Sequence, residues 1–553
     1  MNLKSVNKFF EKSFKENWER PAISNYQGVT LSYRDLARRI AKLHIVFEVC
    51  GLQKGDKVAL CSRNQAHWVV SFLSAMTYGA VPVPLMHEFK SSNIHHLVNH
   101  SEAKILFVDE VIWEGLSEVE MPNLLAIIQV NTFKLLYSAN DIITETREHL
   151  NELFGRKYPM DFTPESISYY EDSSDELAII NYTSGTSGFS KGVMIPYRAL
   201  RSNIEFAYKV LPQINNTSKV VSMLPSAHMY GLMFEVLYQL CVGSHVFFLS
   251  RLPSPKIIMQ ALSEVKPTIV IAVPLIIEKI YKSKVKPVIE TTGIKFALRL
   301  PVLEQVIMNK IKTELINAFG GEFYEVIIGG AAFNKEVETF FKKMEFPFTV
   351  GYGMTECAPI ITYDDYKTAK LYSCGRIVPN MEMKIDSPDP QNIPGELLVR
   401  GDNVFLGYYK NEEATKEVLE NDGWFHTGDM GVIDADGYLF LRGRSKCMIL
   451  GPSGQNIYPE EVEAVLDTRP YVLESLVIED NGGLTALIYP DFDLAAKEGM
   501  DQATFIKFIE DTLPEVNKEL PNYAKLKKIE VMSEAFERTP KKSIKRYLYQ
   551  RNN

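Results

Sequence analysis

Cysteine is scarce, with six in 553 residues at positions 50, 61, 241, 357, 374 and 447 and no CxxC spacing among them. This rules out a disulfide framework or a thiolate metal site as the organising element and fits a reduced cytoplasm. The first twenty residues are rich in Lys and Glu and carry no apolar signal core. The longest apolar stretch, 269–277, is interrupted by Pro274. It is far short of the roughly 20 residues that a membrane helix needs, so only peripheral contact with a membrane stays open. Positive charge is not in excess. The net charge is −9, which argues against a nucleic-acid surface, and the short basic run Lys541, Lys542, Lys545, Arg546 reads as a local feature. No repeat of fixed period appears.

What is present is ordinary globular material, 46% hydrophobic and 23% charged, enough for a large core. Apolar runs and helical patterns alternate. Residues 57–60 predict a strand, 67–78 a helix and 80–83 a strand, then 93–99 a helix and 104–108 a strand. Short apolar runs near 219–224, 245–249, 268–273 and 325–328 continue the alternation. The expected class is α/β, layered sheets with helices on both faces. From 395 the pattern changes to short β-rich runs, 395–400 and 437–442, broken by Gly and Asp turns. About a hundred residues of smaller α/β pattern follow Gly443-Arg444-Ser445-Lys446. The expected division is a large domain over 1–445 and a small one over 446–553.

One stretch carries more chemistry than any other. Residues 182–192 read Tyr-Thr-Ser-Gly-Thr-Ser-Gly-Phe-Ser-Lys-Gly after the apolar run Leu177 to Tyr182. Glycines let successive N–H groups converge, hydroxyls add donors, and Lys191 adds a point charge suited to phosphate. The loop reads as a polyphosphate cradle, against a plain Gly/Ser turn. It is not a Walker A loop, because Ser190 stands where the second glycine belongs. Residues 351–356, Gly-Tyr-Gly-Met-Thr-Glu, follow a run ending at Val350. They would present the Tyr352 ring to a planar base, with Thr355 as a phosphate donor and Glu356 as a hard oxygen ligand for Mg²⁺. The alternative is a β-turn around a core tyrosine. In Gly423-Trp-Phe-His-Thr-Gly-Asp-Met-Gly431, Asp429 could accept from both hydroxyls of a ribose, or make an Asx-turn. Arg444 could bridge ribose or phosphate oxygens, or be a solvated linker charge. His228, among apolar neighbours, has no local Ser or Asp partner for a triad.

Taken in order, these motifs resemble the adenylate-forming superfamily of acyl-CoA synthetases, luciferases and peptide-synthetase adenylation domains, over about residues 25–550. The resemblance implies roles. Thr183, Ser184, Gly185, Thr186, Gly188 and Lys191 would hold the ATP phosphates. Gly329, Gly330, Ala331, Tyr352 and Gly353 would enclose the adenine, with Thr355 beside the phosphates. Asp429 and Arg444 would take the ribose, and Glu356 would hold Mg²⁺. His228 would sit near the acyl carboxylate, and Lys446 would be the pivot of a mobile C-terminal domain. Ile457-Tyr-Pro-Glu-Glu-Val-Glu463, Pro274 with Glu278-Lys-Ile-Tyr281, and Ile544-Lys-Arg-Tyr-Leu-Tyr549 are similar to bacterial long-chain acyl-CoA synthetases. The implied activity is ATP-dependent activation of a fatty acid to an acyl-adenylate, then transfer to CoA. Transfer to an acyl carrier protein is the nearest alternative, and a binding protein that has lost adenylation is a further one.

Two departures from the family pattern stand out. In Arg538-Thr-Pro-Lys-Lys-Ser-Ile-Lys-Arg546, Ser543 occupies the place of the family's C-terminal lysine, and a hydroxyl cannot supply that cation. Lys542 is the expected substitute, with Lys541 as the other choice. Val350 stands where relatives often carry a polar side chain near the adenine. Ser187 for Thr and Ser190 for Pro keep the loop polar.

Overall fold

The computed structural model describes residues 4–184, 190–249, 254–450, 456–480, 482–539 and 544–551. Within them the first βαβ unit forms where the apolar periodicity put it. The strand Lys57–Cys61, the helix Ala66–Tyr78 and the strand Val81–Leu85 follow one another, then the helix Ser91–Ser101 and the strand Ala103–Val108. Gly79 ends the first of these helices in a left-handed conformation, φ 92°, and a side chain there would meet the Tyr170 ring at 3.0 Å. Both Val58 and Ala59 are buried, so the strand is covered on both faces, which is why it reads as a continuous apolar run.

These strands belong to a five-stranded sheet, in spatial order Val81–Leu85, Lys57–Cys61, Ala103–Val108, Ala126–Gln129, Leu135–Ser138. All its pairs are parallel except the last. A second sheet sets Lys219–Ser222, His245–Phe248 and Pro21–Asn25 parallel, with Thr30–Ser32 antiparallel at the edge. A third is a parallel trio, Val270–Ala272, Val326–Ile328, Phe348–Val350. The β-rich stretch from 381 is a four-stranded antiparallel sheet, Met381–Asp386, Gly395–Gly401, Phe425–Ile433, Leu439–Arg444. Two antiparallel pieces complete the frame. One is the hairpin Leu177–Ser184 with Ser190–Pro196, and the other runs Tyr352–Gly353, Ile360–Tyr363, Arg376–Ile377.

Beyond a short turn at Ser445–Cys447 the chain builds a separate apolar core, with all its members at or beyond Ile449. There the strands Val472–Asp480, Gly483–Pro490 and Leu526–Val531 carry the helices Pro459–Leu466, Gln502–Glu510 and Leu513–Glu519. This small unit touches the sheet before it where Arg442 donates to Glu461 at 3.3 Å.

Candidate functional site

Asp429 and Arg444 lie fifteen positions apart in sequence and directly opposite each other in an antiparallel pair. Arg444 Nε donates to Asp429 Oδ1 at 2.7 Å. From a different sheet, Tyr352 donates its phenol proton to Asp429 Oδ2 at 2.5 Å. Both carboxylate oxygens are thus engaged, and the side chain of Asp429 is only 9% exposed while that of Arg444 is 55% exposed. Burial pushes the Asp429 carboxyl up from its ordinary value, against the pull of Arg444 and of the Tyr352 hydroxyl. The carboxylate is thereby held at both oxygens by charge-assisted and hydroxyl donors.

Tyr352 owes its place to the glycines beside it. It pairs with Thr362 and Gly353 pairs with Ile360, with a register shift between them. Asn203 braces this hairpin by accepting from Ile360 N at 3.2 Å, and Asn403 Nδ2 donates to Ile360 O at 2.7 Å. Gly329 and Gly330 follow the central strand of the parallel trio. A side chain at Gly329 would press on the Gly351 carbonyl and on the Tyr230 ring, both at 3.3 Å. Tyr230 itself donates to Ile327 O at 3.0 Å. Ala331 is exposed.

The predicted phosphate loop is described at its two ends. Thr183 pairs with Lys191 across the hairpin. The segment 406–409 runs alongside as a third chain, with Tyr409 N donating to Gly192 O at 2.7 Å and Leu406 N to Met194 O at 2.9 Å. This sets the Lys191 ammonium 4.6 Å from the centre of the Tyr408 ring, a cation–π distance. The Tyr408 hydroxyl donates to Glu356 Oε1 at 3.0 Å. Lys191, Tyr408 and Glu356 therefore form one chain of contacts from the glycine-rich hairpin to the residue expected to hold Mg²⁺, beside the buried Thr355. Gly185, Thr186, Gly188, the side chain of Ser184, and Lys541, Lys542 and Ser543 lie outside the described residues.

His228 lines an apolar cavity. Its Nδ1 accepts from Tyr230 N at 3.3 Å, which leaves the ring proton on Nε2. Phe206, Val210, Phe234, Ile271, Ile327 and Ile360 line the cavity, together with Gly329, Gly330 and Tyr352. The loop that carries His228 is pinned from three sides. Asn64 accepts from Ser226 N at 2.8 Å, Asn181 donates to Ala227 O at 2.9 Å, and Glu235 accepts from Ser222 Oγ at 3.0 Å and Leu224 N at 3.2 Å.

Glu235 and Tyr408 were not singled out by sequence. Glu235 lies in a π-helical turn, Leu232–Leu237, and such turns often mark functional segments. Fully buried without a cationic partner among the described residues, its carboxyl is pushed up to about 8 by burial, which outweighs its hydrogen bonds. The native state therefore holds a proton that the unfolded chain releases near pH 4.5. The stabilisation from this group is complete below that value and is lost as pH rises through about 8. Glu235→Gln is expected to flatten this dependence, so that its melting temperature relative to the wild type rises between pH 5.5 and pH 8.5. The expected change is on the order of 3 kcal/mol. Parallel melting curves across that range would show no such convergence if Glu235 ionises at an ordinary pH.

Comparison with known proteins bears on the whole chain. The family described as AMP-binding enzyme matches residues 10–409, and its C-terminal domain matches residues 448–552. The chain belongs to the AMP-binding enzyme family. It is 24% identical over 512 residues to the human long-chain-fatty-acid–CoA ligase ACSBG2, covering 86% of this chain and 75% of that one. It is 26% identical over 543 residues to the Arabidopsis thaliana chloroplastic long-chain-fatty-acid–[acyl-carrier-protein] ligase AEE15, covering 84% and 73%. The fold matches ATP-bound MatB from Rhodopseudomonas palustris with a TM-score of 0.77 at 23% identity, covering 99% of this chain and 98% of that one. Asp429 and Arg444 fall between the two matched segments.

Proposed function

We propose that this AMP-binding enzyme is a long-chain fatty acid–CoA ligase. The observation that carries the reading is the adjoining of two environments on one residue. Tyr352 binds Asp429 with its hydroxyl and lines, with Gly329, Gly330 and His228, the apolar cavity. A nucleotide held by Asp429 and Arg444 would present its α-phosphate near the cavity, where an acyl carboxylate held by His228 can reach it. The carboxylate oxygen attacks the α-phosphorus and pyrophosphate leaves, giving an acyl-adenylate. The thiol then displaces AMP, a far better leaving group than oxide. Positioning and charge neutralisation do most of the work in the first step. Lys191 contributes charge at the phosphates. Glu356 would hold Mg²⁺. Among the described residues only its Oε1 is taken, by Tyr408, and one carboxylate suffices for a magnesium ion that nucleotide phosphates also hold. When bound, the cation would neutralise negative charge on the phosphate oxygens.

Lys542, or else Lys541, is the C-terminal lysine of this reading. The flanks of these two lysines are anchored, Arg538 on Glu474 at 2.8 Å and Arg546 Nη1 on Glu463 at 2.8 Å. The division at 445/446, with Lys446 as pivot, is part of the same reading.

The similarity to both a CoA ligase and a carrier-protein ligase sets the test. The protein is incubated with ATP, Mg²⁺, a ladder of fatty acids, and either CoA or acyl carrier protein, and products are read by mass spectrometry. A long-chain acyl-CoA with AMP and pyrophosphate is expected. Thioester on the carrier protein alone would change the acceptor. ATP binding without pyrophosphate release for any acid would leave only a binding protein.

A further inference from the structure

The strand that carries Asp429 does not run straight into it. Along the strand Gly395–Gly401, Leu398 pairs with His426 and Glu396 with Met430. Leu397 alone therefore faces the segment 427–429. This is a bulge, and bulges re-aim side chains beside functional sites. Its last residue, Asp429, is the one that meets Arg444 and Tyr352. Gly428 within it has φ 72°, a left-handed conformation that glycine takes without strain.

A bulge breaks the ladder, so its amides need other acceptors. Asp429 N donates to Thr427 Oγ1 at 3.1 Å, and Thr427 Oγ1 donates to Leu397 O at 2.8 Å. Gly428 N donates to Glu396 Oε1 at 2.9 Å. Glu396 thus grips the bulge from the neighbouring strand. Its other oxygen lies 3.0 Å from His426 Nδ1, and His426 Nε2 lies 2.8 Å from Glu420 Oε1. Glu420 is fixed in the turn before this strand, where its N–H donates to Trp424 O at 2.8 Å.

Ionised carboxylates only accept, and both ring nitrogens donate only in the imidazolium. The cation is therefore the form that this geometry fits. Burial lowers the His426 value, but the bonds to Glu396 and Glu420 outweigh it and raise the ring above its ordinary 6.5. On the strand Met381–Asp386, Asp386 pairs with Glu396 and Lys384 with Leu398, and these are the charged groups of the next strand in the same rows. A neutral ring would keep one bond and turn a lone pair toward the other carboxylate.

We propose that Glu396 and His426 are positioning residues for nucleotide binding: Glu396 holds the bulge that presents Asp429, and the His426 imidazolium holds Glu396 in place. The inference rests on the reading of Asp429 as a nucleotide ligand and adds a proton to it. ATP affinity is full while His426 is charged and falls as pH rises through its raised value.

The test is calorimetric binding of ATP to the full chain, with Mg²⁺ and without fatty acid, at about pH 6 and about pH 9. Glu396→Ala is expected to raise the Kd about tenfold at the lower pH. Between the two pH values the wild-type Kd should rise at least about threefold more than that of His426→Gln. The titration of ATP itself is common to both and cancels in this ratio. In Glu396→Gln the amide oxygen can accept from Gly428 N and the amide nitrogen can donate to a neutral His426 ring. That variant should keep near-wild-type affinity at the lower pH and lose the pH step, a rescue that general loosening of the strand would not give. The His426 and Glu396 side chains are 30% and 28% exposed, so all three variants should fold, and melting curves check this. Wild-type affinity in folded Glu396→Ala, or a pH step that survives in His426→Gln, would overturn the proposal and leave the ligase reading standing. A wild type that binds no ATP would overturn both.

Discussion

Asp429→Ala is expected to lower kcat/KM for ATP by about 10²- to 10³-fold, with most of the change in nucleotide affinity. The Asp429 carboxylate is already engaged by the protein itself. Its two oxygens take the Tyr352 hydroxyl at 2.5 Å and Arg444 Nε at 2.7 Å. Alanine removes both acceptors. It takes from the buried Tyr352 phenol the acceptor at 2.5 Å and from Arg444 its carboxylate partner. Each lost charge-assisted contact is worth about 1.5–3 kcal/mol, and about 1.4 kcal/mol is a factor of ten. Asp429→Asn separates two parts of the effect. The amide oxygen can still accept from Tyr352 but offers no charge to Arg444, so its loss should be intermediate. ATP affinity measured by calorimetry, alongside a melting curve to confirm folding, decides the matter. Wild-type affinity in the folded alanine variant would remove Asp429 from the nucleotide site.

Much of this frame was readable in the residues because the signals are local. The run Lys-Val-Ala-Leu at 57–60 is apolar on both faces, and it became the strand Lys57–Cys61 between two parallel neighbours. The strand before the glycine-rich loop was likewise evident from Leu177 to Tyr182, and it extends two residues further, to Ser184. What no local pattern reveals is which distant segments meet. Tyr408 sits in a turn-like Gly-Tyr-Tyr with no motif of its own. It matters only because 406–409 lies along Ser190–Pro196, which brings its ring to Lys191 and its hydroxyl to Glu356. Glu235 has the same character. In sequence it is one acid in an otherwise apolar helix, and its partners Ser222, Met223 and Leu224 come from a strand end and loop folded back over it. Tyr352 was expected to offer a ring face to a base. The structure adds that its hydroxyl reaches Asp429, 77 positions away, a contact that spacing cannot supply.

Gly353→Ala is expected to be far more damaging than Gly351→Ala, although the two glycines flank the same tyrosine. At 353 a Cβ would lie 2.1 Å from the Pro359 carbonyl oxygen, 2.9 Å from its carbon and 3.1 Å from Ile360 Cα. All three are backbone atoms, so no side-chain rotation relieves the overlap, and the paired strands must part. At 351 the nearest atoms would be Thr362 O at 3.4 Å and Ile360 Cδ1 at 3.7 Å, which is ordinary contact. Ile360 is the residue that Asn203 and Asn403 clamp, so the hairpin cannot drift outward without breaking those bonds as well. The cost should be about 3 kcal/mol or more in stability. Because Tyr352 moves with Gly353, the Tyr352–Asp429 bond is lost too, and activity should fall by at least the factor expected for Asp429→Ala. Gly351→Ala should stay within about 1 kcal/mol of the wild type and keep measurable ATP binding. Denaturant melts and ATP titrations on the two variants make the comparison. Equal stabilities would show that the approach of Gly353 to Pro359 does not constrain this loop.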